Sequence, residues 1–238
     1  MHRFYVNGNP VLEDGDFHHA INVLRLQVGE EIELVQGLGL RFLARISQIN
    51  AKSKTASLEI VEKLETSNEP NCKVHLIMGI PRLDKLTDIV DFCTQLGVHS
   101  ITLAECRRTQ GSYPRERWDK KIESLKKTAK GSAELASRDI VPEIAGPFQL
   151  ERAILKSVGK KLIAWELEKT NTIPKSITIN DNEITIIIGP EGGLEHIEVD
   201  CATKNGFIPV TLGKSILRAQ LAPVVAISQI FAVTEENV

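Results

Sequence analysis

Ile184-Thr185-Ile186-Ile187-Ile188-Gly189-Pro190-Glu191-Gly192-Gly193-Leu194 is the stretch that decides the fold of this chain. Its first half is too apolar to face water on either side, so it reads as a strand buried in a sheet covered on both faces. Its second half is a turn rich in glycine, a residue that adopts φ > 0 freely and lets backbone approach a ligand closely. A second turn of this kind, Leu212-Gly213-Lys214-Ser215-Ile216-Leu217-Arg218, follows the strand-like Pro209-Val210-Thr211-Leu212 and leads into a final helical pattern. Pro223 lies within that pattern, and proline is tolerated only in a first turn, so the regular helix starts near 218–220 with 214–217 as loop.

Working outward, strand-like and helix-like segments alternate. Residues 74–80 form an apolar run of strand length. Leu83, Leu86, Ile89, Val90, Cys93 and Leu96 trace a helical stripe stopped by Gly97. Residues 100–104 and Leu162-Ile163-Ala164-Trp165 are strands, and 195–205 is a helix ending at Gly206. Trp118, Ile122, Leu125, Ala129, Ala133 and Ala136 recur at spacings of three and four, a helix with a narrow apolar face and a basic remainder. This alternation means an α/β domain around a largely parallel sheet.

Upstream the rhythm differs. Glu31-Ile32-Glu33-Leu34-Val35 and Arg41-Phe42-Leu43-Ala44-Arg45-Ile46 flank Gly37-Leu38-Gly39, a hairpin signal. Ala56, Leu58, Ile60 and Glu62 share one face of a third strand. Phe17, Ala20, Ile21 and Leu24 mark one helix that Asp14 or Asp16 can cap. A helix with several short strands predicts a small barrel or curled sheet. The polar, proline-containing Glu65-Thr66-Ser67-Asn68-Glu69-Pro70-Asn71 predicts a boundary, giving domains 1–70 and 71–238.

The 238 residues are 42% hydrophobic, enough to support a buried core and exclude general disorder. Net charge is −2, so a nucleic-acid site has to come from local clustering. Residues 107–130 supply one, with nine Lys/Arg against three Asp/Glu. No apolar run is long enough to span a bilayer and the start lacks a secretory core, which predicts a cytoplasmic protein with no membrane part. Cys72, Cys93, Cys106 and Cys201 have no metal-ribbon or redox spacing and read as reduced thiols; the six histidines make no metal motif.

Neither glycine turn carries the Lys-Ser/Thr of a phosphate loop, and no dinucleotide fingerprint is present. Turns with few side-chain donors and much exposed backbone suit a neutral or cationic ligand held by N–H and C=O groups. In this order the two loops resemble those of the trefoil-knotted SPOUT methyltransferases. The whole chain is similar to the bacterial RsmE family of 16S ribosomal RNA uridine methyltransferases. The matching stretches include Met1-His2-Arg3-Phe4-Tyr5, His19 with Val23-Leu24-Arg25 and Gly29, Asp84-Lys85, Leu96-Gly97-Val98, Glu134, Arg138, and Val141-Pro142-Glu143-Ile144.

The resemblance implies an α/β SPOUT-type domain with a C-terminal trefoil knot, preceded by a small PUA-like β-barrel that binds RNA. It implies a homodimer without metal. It implies S-adenosylmethionine as donor, bound by Trp165, Glu166, Ile188, Gly189, Pro190, Glu191, Gly192, Gly193, Leu212, Gly213, Ile216 and Leu217. The product would be 3-methyluridine in small-subunit RNA. Methylating the ring nitrogen between two carbonyls requires an anionic uracil, which a fixed cation near the carbonyl oxygens favours; Arg218 is the expected group. Its alternative is a salt bridge, with Glu191 as one partner. Where the family usually reads Arg-Thr-Glu-Thr, this chain has Arg218-Ala219-Gln220-Leu221. Gln220, expected beside Arg218 in catalysis, can hydrogen-bond but cannot accept a proton as a carboxylate does. That leaves open a catalytically silent or retargeted RNA-binding protein on the same fold. For RNA, the expected contacts are Arg3, Arg25, Arg107, Arg108, Lys120, Lys121 and Lys127.

Overall fold

The structure is a computed structural model. It describes residues 1–6, 8–36, 39–65, 67–111 and 114–235. Gly37 and Leu38 of the predicted hairpin turn, and Thr66 of the predicted boundary, lie outside the described residues. The chain divides into two compact units, Met1–Glu69 with Ala133–Ile140, and Pro70–Ser132 with Val141–Val238.

The first unit holds strands β1 (Arg3–Val6) and β2 (Val11–Leu12), helix α1 (Asp14–Phe17), and strands β3 (Glu31–Gln36), β4 (Leu40–Asn50) and β5 (Thr55–Leu64). The five strands form one sheet in the order β1-β3-β4-β5-β2. β3 and β4 pair antiparallel on either side of the predicted turn, and β1 adds parallel to β3. Phe4, Leu12, Phe17, Ala20, Ile32, Leu34, Ala44, Ile46, Ala56 and Leu58 share one core, so all five strands turn one face inward. The alternation along β5 holds only in part: Ala56 and Leu58 are buried, but Ile60 is 42% exposed. The β4–β5 pairing is irregular twice along this strand, once between Ser57 and Leu58 and once between Ile60 and Glu62. The predicted helix also differs. α1 starts after Glu13, neither aspartate caps it, and the chain continues through His18–Val23 as a π-helical turn.

A buried ion network ties this unit together. The side chain of Asp139 is fully buried and pairs with Arg3 Nη1 at 3.1 Å and Arg41 Nε at 3.3 Å. It also accepts the Ser67 hydroxyl at 3.2 Å and the Asn68 backbone N–H at 2.8 Å. Arg3 bonds Glu33 at 2.7 Å and donates to the carbonyls of Ser137 and Arg138. Burial alone would push the Glu33 carboxyl up; its bonds with Arg3 and then Arg41 bring it below the ordinary carboxylate range. Tyr5 donates to the Arg138 carbonyl, and burial pushes its phenol up to about 12. Glu69 takes the N–H groups of Asp139 and Ile140 at 2.6 and 2.9 Å and pairs with Arg138. These bonds explain why residues 133–140 group with the first unit, which a boundary drawn only at 70 does not foresee.

The second unit is three-layered. Its elements are β6 (Lys73–Gly79), α2 (Leu86–Leu96), β7 (Ser100–Glu105), α3 (Arg115–Leu135, its last residues grouping with the first unit), β8 (Glu143–Gln149), α4 (Leu150–Leu155), β9 (Lys160–Ala164), α5 (Ile173–Ser176), β10 (Glu183–Ile188), α6 (His196–Lys204), β11 (Ile208–Val210) and α7 (Leu221–Thr234). The six strands form an all-parallel sheet in the order β11-β9-β10-β6-β7-β8. Alternate residues of β10 face opposite ways. Ile184, Ile186 and Ile188 join a core with α2, α3 and α7; Ile187 joins one with α4 and α6. That two-sided burial is what the continuous isoleucine run encodes.

Helix ends follow their chemistry. Gly97 closes α2 at φ 108°, a left-handed geometry that costs glycine nothing. Glu195 and Glu198 form a reciprocal capping box at the start of α6. α7 begins at Leu221, so Pro223 sits in the first turn as its missing N–H requires. Strand β8 and helices α4 and α5 went unpredicted, being short or weakly periodic. Cys72, Cys93 and Cys106 are buried free thiols and Cys201 is half-buried. Burial pushes Cys72 up to about 11 and Cys93 to about 12, so neither is a thiolate at neutral pH. Among the described residues no helix is long and apolar enough to cross a membrane.

Candidate active site

In the second unit the chain builds β6, β7 and β8 in one direction, then places β9, β10 and β11 on the other side of β6. Open parallel sheets bind ligands at such a switch, outside the carboxyl ends of the strands. A cleft of about 710 Å³ lies there, lined by residues that follow β6, β9, β10 and β11 and by the start of α7. That volume suits a small organic ligand, for which about 300–1,000 Å³ is usual.

The loop after β10 is shaped by its glycines. Gly193 N–H closes a turn on the Pro190 carbonyl at 2.9 Å. Gly193 has φ 72°, and a Cβ there would lie 2.6 Å from Glu166 Oε1. Glu191 accepts the backbone N–H of Arg82 at 3.0 Å, which ties the loop to the chain after β6. The loop after β11 is held against the loop after β9: Trp165 N–H donates to the Val210 carbonyl at 3.0 Å and Thr211 N–H to Asn171 at 2.8 Å. From α7, Gln229 reaches back to the Leu212 carbonyl at 3.1 Å. Trp165 stands edge-on to the His196 ring with centroids 5.0 Å apart.

All the residues expected to hold the donor line this one cleft: Trp165, Glu166, Ile188, Gly189, Pro190, Glu191, Gly192, Gly193, Leu212, Gly213, Ile216 and Leu217. Arg218 and Gln220 line it too. Arg218 is exposed, and no ion pair to Glu191 forms among the described residues. Arg82, Lys85, Lys169 and Lys214 also line the cleft. Their signal was positional: Arg82 and Lys85 follow a buried strand adjacent to β10, but only strand order makes β6 that neighbour.

Residues 68–231 match a family model described as an RNA methyltransferase domain, and residues 12–59 one described as an RNA methyltransferase PUA domain. The chain belongs to the ribosomal RNA small subunit methyltransferase E family. The member of that family from Rickettsia conorii is 30% identical over 96% of this chain and 94% of its own. A crystal structure of the family member from Neisseria gonorrhoeae, bound to S-adenosyl methionine, superposes with a TM-score of 0.85 at 28% identity, covering 98% of this chain and 97% of that one. A methyltransferase from Legionella pneumophila in complex with the same cofactor gives 0.84 at 27% identity, covering 97% and 96%.

The basic residues expected to meet RNA divide by what they touch. Arg3 is committed to the Asp139 and Glu33 network of the first unit, its side chain 9% exposed. Arg25 is exposed in that unit. In the second unit Arg107 Nη1 lies 3.9 Å from Glu195, Lys127 pairs with Glu123 at 3.0 Å, and Lys121 donates to Thr87 at 3.1 Å. Lys120 is exposed. Burial of Trp118, Leu125 and Ala129 turns the basic side of α3 outward.

Arg108 has a job that sequence did not reveal. Its Nη1 donates to the Gly192 carbonyl at 3.0 Å, and its Nε lies 3.7 Å from Glu195. It therefore braces the glycine loop of the cleft. Arg108→Ala is expected to weaken donor affinity about 3- to 10-fold in the absence of RNA, the loss of one solvent-exposed hydrogen bond worth about 1 kcal/mol. Arg108→Lys should recover part of it. Calorimetry decides, because an arginine that only met RNA would leave donor affinity unchanged.

Beside the cleft, Glu168 accepts the N–H groups of Lys169, Thr170 and Asn171 and the Thr170 hydroxyl, at 2.8 to 2.9 Å. Those bonds, led by the Asn171 N–H, hold its carboxyl down to about 2. The folded value is depressed, so this contribution is intact above the ordinary carboxylate range and is lost as pH falls toward 2. The amide proton shifts of Thr170 and Asn171 should titrate with a midpoint near 2; a midpoint above 4 would contradict the bonding.

Proposed function

We propose that this chain transfers the methyl group of S-adenosylmethionine to the N3 position of a uridine in small-subunit 16S ribosomal RNA, as a cytoplasmic homodimer. The observation carrying the proposal is the single cleft in which both glycine loops meet. Its chemistry fits the donor. Gly189 and Gly193 leave room where a Cβ would collide with Leu194 and Glu166. Trp165, Ile188, Leu212 and Leu217 offer apolar contact, and the Glu166 and Glu191 carboxylates favour a cation. When bound, the sulfonium supplies an already activated methyl group. The protein has to align the acceptor with it and stabilise the uracil anion. Arg218 supplies a guanidinium at that position, and Gln220 can hold a carbonyl or N–H of the base by hydrogen bonding. A C-terminal trefoil knot is part of this reading, and the closeness of the two loops is in keeping with it. Phe92 and Leu221 of the second unit are 46% and 47% exposed, apolar surface available to a second copy.

Gln220 favours one alternative, a protein that binds RNA without modifying it. Radiolabel transfer from S-adenosylmethionine to purified small subunits separates the two. Nucleoside mass spectrometry of small-subunit RNA from a deletion strain then tests the product: loss of one methyl from uridine supports the proposal, and an unchanged profile rejects it. Phosphate contacts by Arg25, Lys120 and the outward face of α3 predict RNA affinity falling steeply between about 50 and 200 mM salt. A flat response would remove this surface from the RNA interface.

A further inference from the structure

At the other end of the parallel sheet, the amino ends of its strands, the second unit contains another pocket of about 290 Å³. One row of polar side chains crosses it. His75 on β6 is the register partner of Ser100 on β7 and of Thr185 on β10, and Ser100 is the partner of Glu143 on β8. Register partners share a face of the sheet. The His75 Nδ1 lies 2.7 Å from Ser100 Oγ, and its Nε2 lies 3.2 Å from Glu183 Oε1. A carboxylate only accepts, so Nε2 carries the proton that faces Glu183 and Nδ1 is left to accept from the Ser100 hydroxyl. The His99 ring stands edge-on to His75, centroids 5.1 Å apart, and limits its rotation. Ser100 and His75 line the pocket, whereas Glu183 sits behind the imidazole. Nucleophile, base and orienting carboxylate thus occur in the order that acyl transfer uses.

We propose that this pocket is a second active site, a serine esterase for small neutral carboxylic esters. Ser100 Oγ bonds to the acyl carbon while its proton moves to His75 Nδ1. The bond from the acyl carbon to the ester oxygen breaks, and the departing alcohol takes that proton. Water then adds to the acyl-serine through the same base, releasing the carboxylic acid and restoring the Ser100 hydroxyl. Glu183 holds the Nε2 proton and stabilises the imidazolium in both halves. Thr102, two residues along β7 on the same face as Ser100, and Lys156, whose ammonium lies 5.6 Å from the Phe148 ring centroid, line the pocket and are the groups available to the developing oxyanion. Glu143 lines it too and disfavours anionic esters. Ile77, Ala145, Phe148 and Ala153 give the acyl or alcohol part apolar contact.

The test uses the purified full chain. A fluorophosphonate probe followed by peptide mass spectrometry is expected to modify Ser100, and 4-nitrophenyl acetate is expected to be hydrolysed. Ser100→Ala should abolish modification, and Ser100→Ala and His75→Gln should each lower hydrolysis by about 100-fold. Glu183→Gln, a change in a positioning residue, should lower kcat with KM unchanged, and Glu183→Asp should restore part of it. Calorimetric binding of S-adenosylmethionine, at the opposite end of the sheet, should be the same in every variant and report that each is folded. Absence of the probe from Ser100 in the unsubstituted protein overturns the proposal without relying on any variant. Hydrolysis by a folded Ser100→Ala protein at the unsubstituted rate overturns it as well.

Discussion

Arg218→Ala is expected to lower the rate of methyl transfer by about 100- to 1,000-fold, the usual effect of removing a preorganised group from a developing anion. Donor affinity and melting temperature should stay within error. The reasoning rests on what each part of Arg218 does. Its backbone carbonyl accepts the N–H groups of Leu221 and Ala222 at 2.9 and 3.0 Å and so starts α7. Substitution keeps that carbonyl. Its side chain is exposed, lines the cleft and has no hydrogen bond or ion pair among the described residues, so its loss leaves no buried partner stranded. Arg218→Lys keeps the charge but loses the planar fork, and should fall between the two. Single-turnover kinetics on small subunits under saturating donor reads the chemical step directly. Near-normal turnover by Arg218→Ala would transfer the role to another cleft cation, Lys214 being the adjacent one in sequence.

Asp139→Ala should destabilise the first unit by about 3–5 kcal/mol, the cost of leaving buried charges without their partner. The carboxylate is fully buried, and its removal strips Arg3 and Arg41 of one shared acceptor. It also orphans the N–H of Asn68 and the hydroxyl of Ser67. Glu33 still pairs with both arginines, which limits the damage but does not replace bonds on the Asp139 side. Hydrogen exchange should accelerate in β1 and β3, which carry Arg3 and Glu33, and in residues 67–69. Denaturant unfolding followed on those segments measures the size. A loss below about 1 kcal/mol, the range of exposed ion pairs, would mean that water replaces the carboxylate easily.

Much of the site was legible in the sequence because its signals are local. An uninterrupted isoleucine run followed by glycines needs no distant residue to be read as a buried strand and a turn. The same holds for Gly97 ending a helical stripe and for Pro223 fixing the start of α7. The two loops so identified supplied ten of the twelve expected donor residues of the cleft, since in a parallel sheet the carboxyl ends of neighbouring strands necessarily face the same way; Trp165 and Glu166, in the loop after β9, came from the family resemblance.

What the sequence determined by itself was therefore the class of fold, the longer strands and helices of the second unit apart from β8, and the two loops that carry the chemistry. Tertiary structure alone decided which distant residues those parts meet. A Cβ on Gly79 would stand 2.8 Å from the Pro190 nitrogen, so a strand 111 positions upstream sets the room available to the glycine loop. Arg3 and Arg108 carry the charge expected of RNA contacts, yet one is taken up by Asp139 and the other by Gly192. Periodicity and turn chemistry report the environment of a residue within a few positions of itself. Strand order, and the return of residues 133–140 to the first unit, are set by packing between segments far apart along the chain, and no local pattern encodes them.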